Sequence, residues 1–193
     1  MKDIFYLRTA KTGSSSISHW CYQHQTHITN NMLPLDKGEN AGLKEKLEEK
    51  KYFIFTTVRN PFTRAISCWQ QSIRSNWIPK DSPFEFFLDQ DLSKITDTHN
   101  KTHVIPLTEY LDPYFNKIKK FVKVEQLEKD LREIEEMFGT EKRPIKAYNR
   151  GTYRTHRQFD FKSFYTKERI ERVIDKYLED FDTFQYSKNV VDI

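Results

Sequence analysis

The run Tyr52-Phe53-Ile54-Phe55-Thr56-Thr57-Val58 has no polar face. A strand with one solvated side alternates apolar and polar residues, whereas a continuously apolar, β-branched run suits a central parallel strand covered on both sides. A chain organised around such a strand needs helices above and below it, which points to α/β layering. The run stops at Arg59-Asn60-Pro61, and Pro61 is well placed as the first residue of a helix.

The remaining pattern agrees. Ile4–Leu7 reads as a buried strand, and the helix after it presents Ile17, Trp20, Cys21 and His24 at i, i+3, i+4, i+7 spacing. Residues 29–42 read as a loop and Leu43–Lys51 as a short charged helix. The helix from Pro61 carries Ile66, Trp69, Ile73 and Trp77. Ser82-Pro83-Phe84-Glu85 reads as a capping box opening another helix. Residues 91–107, polar and containing histidine, read as loop. Lys120–Val124 is a third strand, followed by a helix over Glu125–Phe138 that Gly139 closes. After a basic loop, Arg143–Arg157, Thr166 caps a last helix reaching about Phe181. A fourth strand is expected near His24–Thr29. The fold expected is a single α/β domain over residues 1–193, P-loop-like and three-layered, with a small central parallel sheet flanked by helices.

Composition narrows the function. Net charge is +4, from 32 basic and 28 acidic residues, which fits a local anion site better than a surface that coats nucleic acid. Cys21 and Cys68 have neither disulfide nor zinc spacing and read as reduced thiols. Asp3 and Arg8 interrupt the N-terminal apolar residues, so no signal peptide is read, and no apolar run is long enough to span a membrane. A cytoplasmic location is the expectation.

Two segments carry chemistry. Ile4–Leu7 runs into Arg8-Thr9-Ala10-Lys11-Thr12-Gly13-Ser14-Ser15-Ser16 and then a helix. Strand, turn and helix start are the parts that hold a phosphate: backbone N–H groups, hydroxyl donors and the Lys11 charge. The usual nucleotide loop, G-x-x-x-x-G-K-[ST], puts glycine before lysine. Here lysine comes first. Gly13 has a reason to be glycine, either close approach of the backbone to an anion or a positive φ. The second segment, Val58-Arg59-Asn60-Pro61-Phe62-Thr63-Arg64-Ala65-Ile66-Ser67, repeats the strand-to-helix design. Arg59 stands at the strand end, where open α/β sheets bind ligands. Arg64 and Ser67 lie one turn apart, and Arg59 and Ser67 can converge on a second phosphate.

This pair of segments resembles sulfotransferases that use 3′-phosphoadenosine 5′-phosphosulfate (PAPS), and more closely the carbohydrate branch, heparan sulfate 2-O-sulfotransferase and its bacterial relatives. His103-Val104-Ile105-Pro106-Leu107-Thr108-Glu109-Tyr110-Leu111, the passage Val122–Leu131, and Phe164-Tyr165-Thr166 are similar to further family segments. The resemblance implies that Lys11, Thr12, Gly13, Ser14, Ser15 and Ser16 hold the 5′-phosphosulfate. It implies that Arg59 and Ser67 hold the 3′-phosphate, and that the basic loop with Arg150, Gly151 and Arg154 lies over the nucleotide. It also implies in-line sulfuryl transfer without a metal, Lys11 steadying the bridging oxygen, and a glycan or other hydroxyl as acceptor. No nucleic-acid partner is expected.

A general base must take the acceptor's proton. Carbohydrate relatives use a histidine or glutamate between the two motifs. His19 and His24 lie on the first helix and read as packing or capping residues. His27 is the expected base, with Asp36, Glu39, His99 and His103 as alternatives. Two other readings stand beside this one. A P-loop kinase or NTPase needs an acidic magnesium ligand where the strongest strand instead ends in Val-Arg-Asn. A non-catalytic polyanion-binding module would use Arg143, Lys146, Arg150, Arg154 and Arg157 with Tyr148 and Tyr153 interleaved.

Overall fold

A computed structural model describes residues 4–30, 45, 47–48, 50–90, 98–146 and 161–192. Along the chain come β1 (Ile4–Leu7), α1 (Ser14–Gln23), β2 (Ile28–Asn30), β3 (Phe53–Val58), α2 (Pro61–Arg74), α3 (Phe84–Leu88), α4 (Thr98–Val104), α5 (Leu107–Leu111), β4 (Ile118–Lys123), α6 (Leu127–Phe138), α7 (Phe161–Phe164), α8 (Lys167–Lys176) and α9 (Leu178–Thr183). The class is α/β, a four-stranded parallel sheet flanked by helices. The chain divides into two compact units, Met1–Val58 with Tyr114–Thr152, and Arg59–Pro113 with Tyr153–Ile193.

The first unit holds the sheet, in the order β2-β1-β3-β4. β1 pairs with β2 on one side and β3 on the other, all parallel, so the strand order reverses beside β1. That reversal is where doubly wound sheets open a crevice beyond their carboxyl ends. β1 is buried along its whole length, and β3 from Ile54 onward, as continuous apolar runs require. The expected fourth strand is β2, and the strand expected at Lys120–Val124 begins two residues earlier. Ile17, Trp20 and Cys21 from α1 and Leu131 and Ile134 from α6 pack with Ile4, Tyr6, Phe55 and Val122. Each such buried side chain contributes roughly 1.5–3 kcal/mol against exposure. Gly139 ends α6 at φ 62, the left-handed C-cap foreseen for it, while the helix proper starts at Leu127, after a 3-10 turn over Val124–Gln126.

The second unit packs α2 with α3, α8 and α9 around Phe62, Ile66, Phe84, Phe87, Tyr177 and Phe181. Four expectations change here. Residues 98–104 are helical rather than loop, and Leu107–Leu111 forms a further helix. Their ends are capped from elsewhere: Asp180 accepts the Leu107 and Thr108 N–H groups, and Tyr177 donates its hydroxyl to the Val104 carbonyl. Such partners outweigh the polar composition. The capping box at Ser82 does not form, because Pro83 holds the N-cap place and Glu85 pairs with Arg169. The last helix, capped by Thr166 as expected, breaks at Tyr177, whose buried side chain is held to Val104. α2 ends at Arg74, so Trp77 lies beyond it, edge-on to His103 at 5.2 Å between ring centroids.

Candidate active site

The Lys11 loop takes its shape from two left-handed residues. Lys11 has φ 64 and Gly13 φ 72, with Thr12 between them. Gly13 is the N-cap of α1, and its carbonyl accepts from Ser16 N at 3.0 Å and Ile17 N at 3.3 Å. A Cβ on Gly13 would meet nothing nearer than 3.8 Å, so the positive φ, not crowding, calls for glycine. Lys11 and Ser14 are half-buried, Ser15 is exposed and Ser16 buried.

Under the loop lies a closed group of hydroxyls. Thr12 Oγ1 donates to Thr9 O (3.1 Å) and lies 2.8 Å from both Thr9 Oγ1 and Thr57 Oγ1. Thr9 Oγ1 donates to Thr57 O at 2.5 Å, and Tyr6 OH is 3.0 Å from Thr57 Oγ1. The Thr12 side chain is therefore turned into the sheet, leaving its backbone as the part of it available to a ligand. Beside this group, Thr56 Oγ1 donates to Leu7 O at 2.7 Å.

In the second unit, Asn60 caps α2 by accepting from Phe62 N at 2.9 Å, which fixes how the chain turns from Arg59 into the helix. Arg59 Nε donates to Thr63 Oγ1 at 2.9 Å, and Thr63 Oγ1 donates to Asn60 O. Thr63 and Ser67 are four residues apart on the helix, so Arg59, Thr63 and Ser67 share the face of its first two turns. Thr63 was not among the expected site residues, although its spacing between Arg59 and Ser67 was the available signal. Arg64 points elsewhere. It is buried, with its guanidinium over the Tyr177 ring at 5.7 Å and Nη1 3.9 Å from Asp180.

A strand end opening a helix through a left-handed Lys-Thr-Gly turn, and a second helix capped behind an arginine, recur along a chain whose residues 1–187 match the model of the sulfotransferase family. The chain belongs to the sulfotransferase family. No curated protein and no solved structure matches it.

The histidines of this sulfotransferase fall into distinct places. His24 is buried, packs on Trp20 and contacts Glu135, the structural role expected of it. Burial lowers its pKa, against the pull of Glu135. Glu135 itself accepts from Trp20, His24, Arg132 and the Arg143 backbone, and those donors hold its carboxyl below the ordinary value although burial pushes it up. His19 contacts Gln23. His27, the expected base, lies at the amino end of the sheet: its carbonyl accepts from Ile4 N, and the next residue, Ile28, pairs with Ile4. The Lys11 loop leaves the opposite end of β1, about 10 Å away at some 3.3 Å per residue. The structure does not bring His27 to that loop. His103 lies in the second unit, against Trp77. Asp36, Glu39, Arg150, Gly151, Arg154 and the His99 side chain lie outside the described residues.

Cys21 and Cys68 are buried and free, and burial pushes the Cys21 thiol far up. Among the described residues, no group of three or more His, Cys, Asp or Glu is placed to hold a metal ion, and no helix is long and apolar enough to cross a membrane.

Proposed function

We propose that this sulfotransferase moves a sulfuryl group from PAPS to a hydroxyl of a carbohydrate or similar acceptor, with residues 1–193 working as one catalytic domain. The observation that supports it best is the Lys11–Gly13 turn. Lys11 and Gly13 are both left-handed at the mouth of a ten-residue helix, and in this reading the turn offers its backbone N–H groups and the Lys11 ammonium to one anion. In this reading the N–H groups of Gly13, Ser14 and Ser15 bind the 5′-phosphate, with hydroxyl help from Ser14–Ser16. Lys11 steadies the bridging oxygen as charge develops there. Arg59 and Ser67 hold the 3′-phosphate, Arg59 already aligned along the α2 face by Thr63. Arg150, Gly151 and Arg154 cover the nucleotide.

The base is assigned on the sheet's direction. β2 leaves its pairing with β1 at Asn30, on the same edge from which the Lys11 loop departs. Asp36 and Glu39 follow Asn30 in sequence, and they replace His27 as the first candidates. Free thiols at Cys21 and Cys68 accord with work in a reducing compartment such as the cytoplasm.

The deciding experiment is thermal stabilisation by 3′,5′-adenosine bisphosphate against ATP plus magnesium. A ligand at 100 times its Kd adds about 2.7 kcal/mol, readily seen as a shift in Tm. Preference for the bisphosphate is expected, and preference for ATP-magnesium overturns the reading. Lys11→Ala should then slow transfer chiefly, and Arg59→Ala weaken nucleotide binding chiefly.

A further inference from the structure

We infer that Thr57, on β3 and outside both nucleotide-binding segments, is a positioning residue for sulfuryl transfer, acting with Tyr6 to hold the Lys11–Gly13 turn in its binding shape. The inference rests on the reading of that turn as the 5′-phosphate site.

A left-handed conformation costs an L-residue such as Lys11 about 1–2 kcal/mol, so the turn persists only where its surroundings hold it. Thr12 sits between the two left-handed residues, and its hydroxyl is fixed from below. Thr9, just before the turn, is fixed as well. Both converge on one residue: Thr9 Oγ1 donates to Thr57 O, and Thr12 Oγ1 lies 2.8 Å from Thr57 Oγ1. Thr57 is a firm support, because β3 lies inside the sheet and Thr57 pairs with Val122 of β4.

One assignment gives each hydroxyl proton an acceptor and leaves the Thr9–Thr12 and Thr9–Thr57 Oγ1 pairs, at 2.8 and 3.2 Å, as contacts with no proton between them. Tyr6 OH donates to Thr57 Oγ1, Thr57 Oγ1 to Thr12 Oγ1, Thr12 Oγ1 to Thr9 O, and Thr9 Oγ1 to Thr57 O. All four side chains belong to fully buried residues, so water does not compete for these bonds, and an unmet hydroxyl there is costly. None of the four hydroxyls needs to touch the nucleotide. Their effect passes through the backbone of Lys11, Thr12 and Gly13, where a displacement of 1 Å can cost about a hundredfold in rate.

Thr57→Val and Thr57→Ser in the full chain test this, with adenosine 3′-monophosphate as a probe that lacks the 5′-phosphate. Thr57→Val should weaken binding of 3′,5′-adenosine bisphosphate about tenfold or more and lower kcat by about ten- to a hundredfold. Binding of the 3′-monophosphate should stay at the wild-type value, and Thr57→Ser should recover most of the loss. Equal loss for both nucleotides, no loss for either, or a serine variant as impaired as valine overturns the inference. If Thr57→Val does not fold, Tyr6→Phe removes one donor at the far end of the chain of hydroxyls. It should weaken the bisphosphate alone by about threefold, the effect of a fraction of one hydrogen bond, and unchanged binding overturns the inference. A wild-type chain that binds no bisphosphate overturns the site reading instead, so the two failures are separable.

Discussion

His24 Nε2 donates to Glu135 Oε1 across 3.1 Å, with both residues closed off from water. A carboxylate oxygen can only accept, so this contact fixes the neutral ring as the tautomer protonated at Nε2. The pair joins the end of α1 to α6, and Arg132 and the Arg143 N–H complete the shell around the carboxylate.

The pair predicts acid sensitivity. Burial holds the His24 pKa below 6.5, so below that pH the unfolded chain takes up a proton that the folded chain declines, and stability falls as pH falls. Glu135 acts in the same direction at lower pH: its carboxyl is held below 4.5, so its contribution is present above 4.5 and is lost as pH drops through the folded value. Denaturant unfolding at pH 7.5 and 5.5 should show a loss for wild type that is smaller in His24→Gln, whose amide does not titrate. Equal losses in the two proteins would assign the effect to other groups.

Asp180 organises the second unit in a comparable way. Its carboxylate accepts from Leu107 N and Thr108 N at 2.9 Å each, accepts from Thr108 Oγ1, and faces Arg64. Asp180→Ala leaves two backbone donors and a buried guanidinium without their carboxylate, and should cost about 3–5 kcal/mol. Asp180→Asn keeps one accepting oxygen and should lose distinctly less. Urea unfolding reads both, and similar losses would mean that the charge, not the capping, matters.

The Asn60 cap gives a smaller, local prediction. Asn60→Ala removes the acceptor for Phe62 N and should cost about 1 kcal/mol, with Asn60→Ser recovering most of it. In a chain of this size 1 kcal/mol lowers Tm by about 2–4 °C. An unchanged Tm would show that the turn into α2 is held by other contacts.

What the sequence disclosed follows from how local each determinant is. The β3 run, the helix starts at Pro61 and Thr166 and the glycine stop at Gly139 depend on residues close in the chain, and each was legible. The left-handed φ of Gly13 was legible because glycine advertises it, whereas lysine at position 11 gives no such sign. The direction of the Thr12 hydroxyl depends on Thr57, on a neighbouring strand, and the burial of Arg64 depends on Tyr177 and Asp180. α4 and α5 were missed for the same reason, since their caps come from α9 and from Tyr177. His27 was misplaced because reading a strand there said nothing about which end of it faces the Lys11 loop.

Lys11 carries the last prediction, since strain and chemistry are both assigned to it. At φ 64, Lys11→Ala keeps a Cβ and therefore keeps the strain of about 1–2 kcal/mol. Lys11→Gly removes it but loses roughly 0.5–1 kcal/mol to the greater freedom of glycine in the unfolded chain. Glycine should therefore be the more stable variant by about 0.5–1 kcal/mol, or about 1–4 °C in Tm. Transfer should fall alike in both, because both lack the ammonium group. The two measurements separate the roles: a Tm order of glycine above alanine with equal activity loss assigns the strain to the backbone and the chemistry to the side chain. Equal Tm values would mean that the left-handed turn costs nothing here, and the hydroxyls beneath it would have no strain to hold.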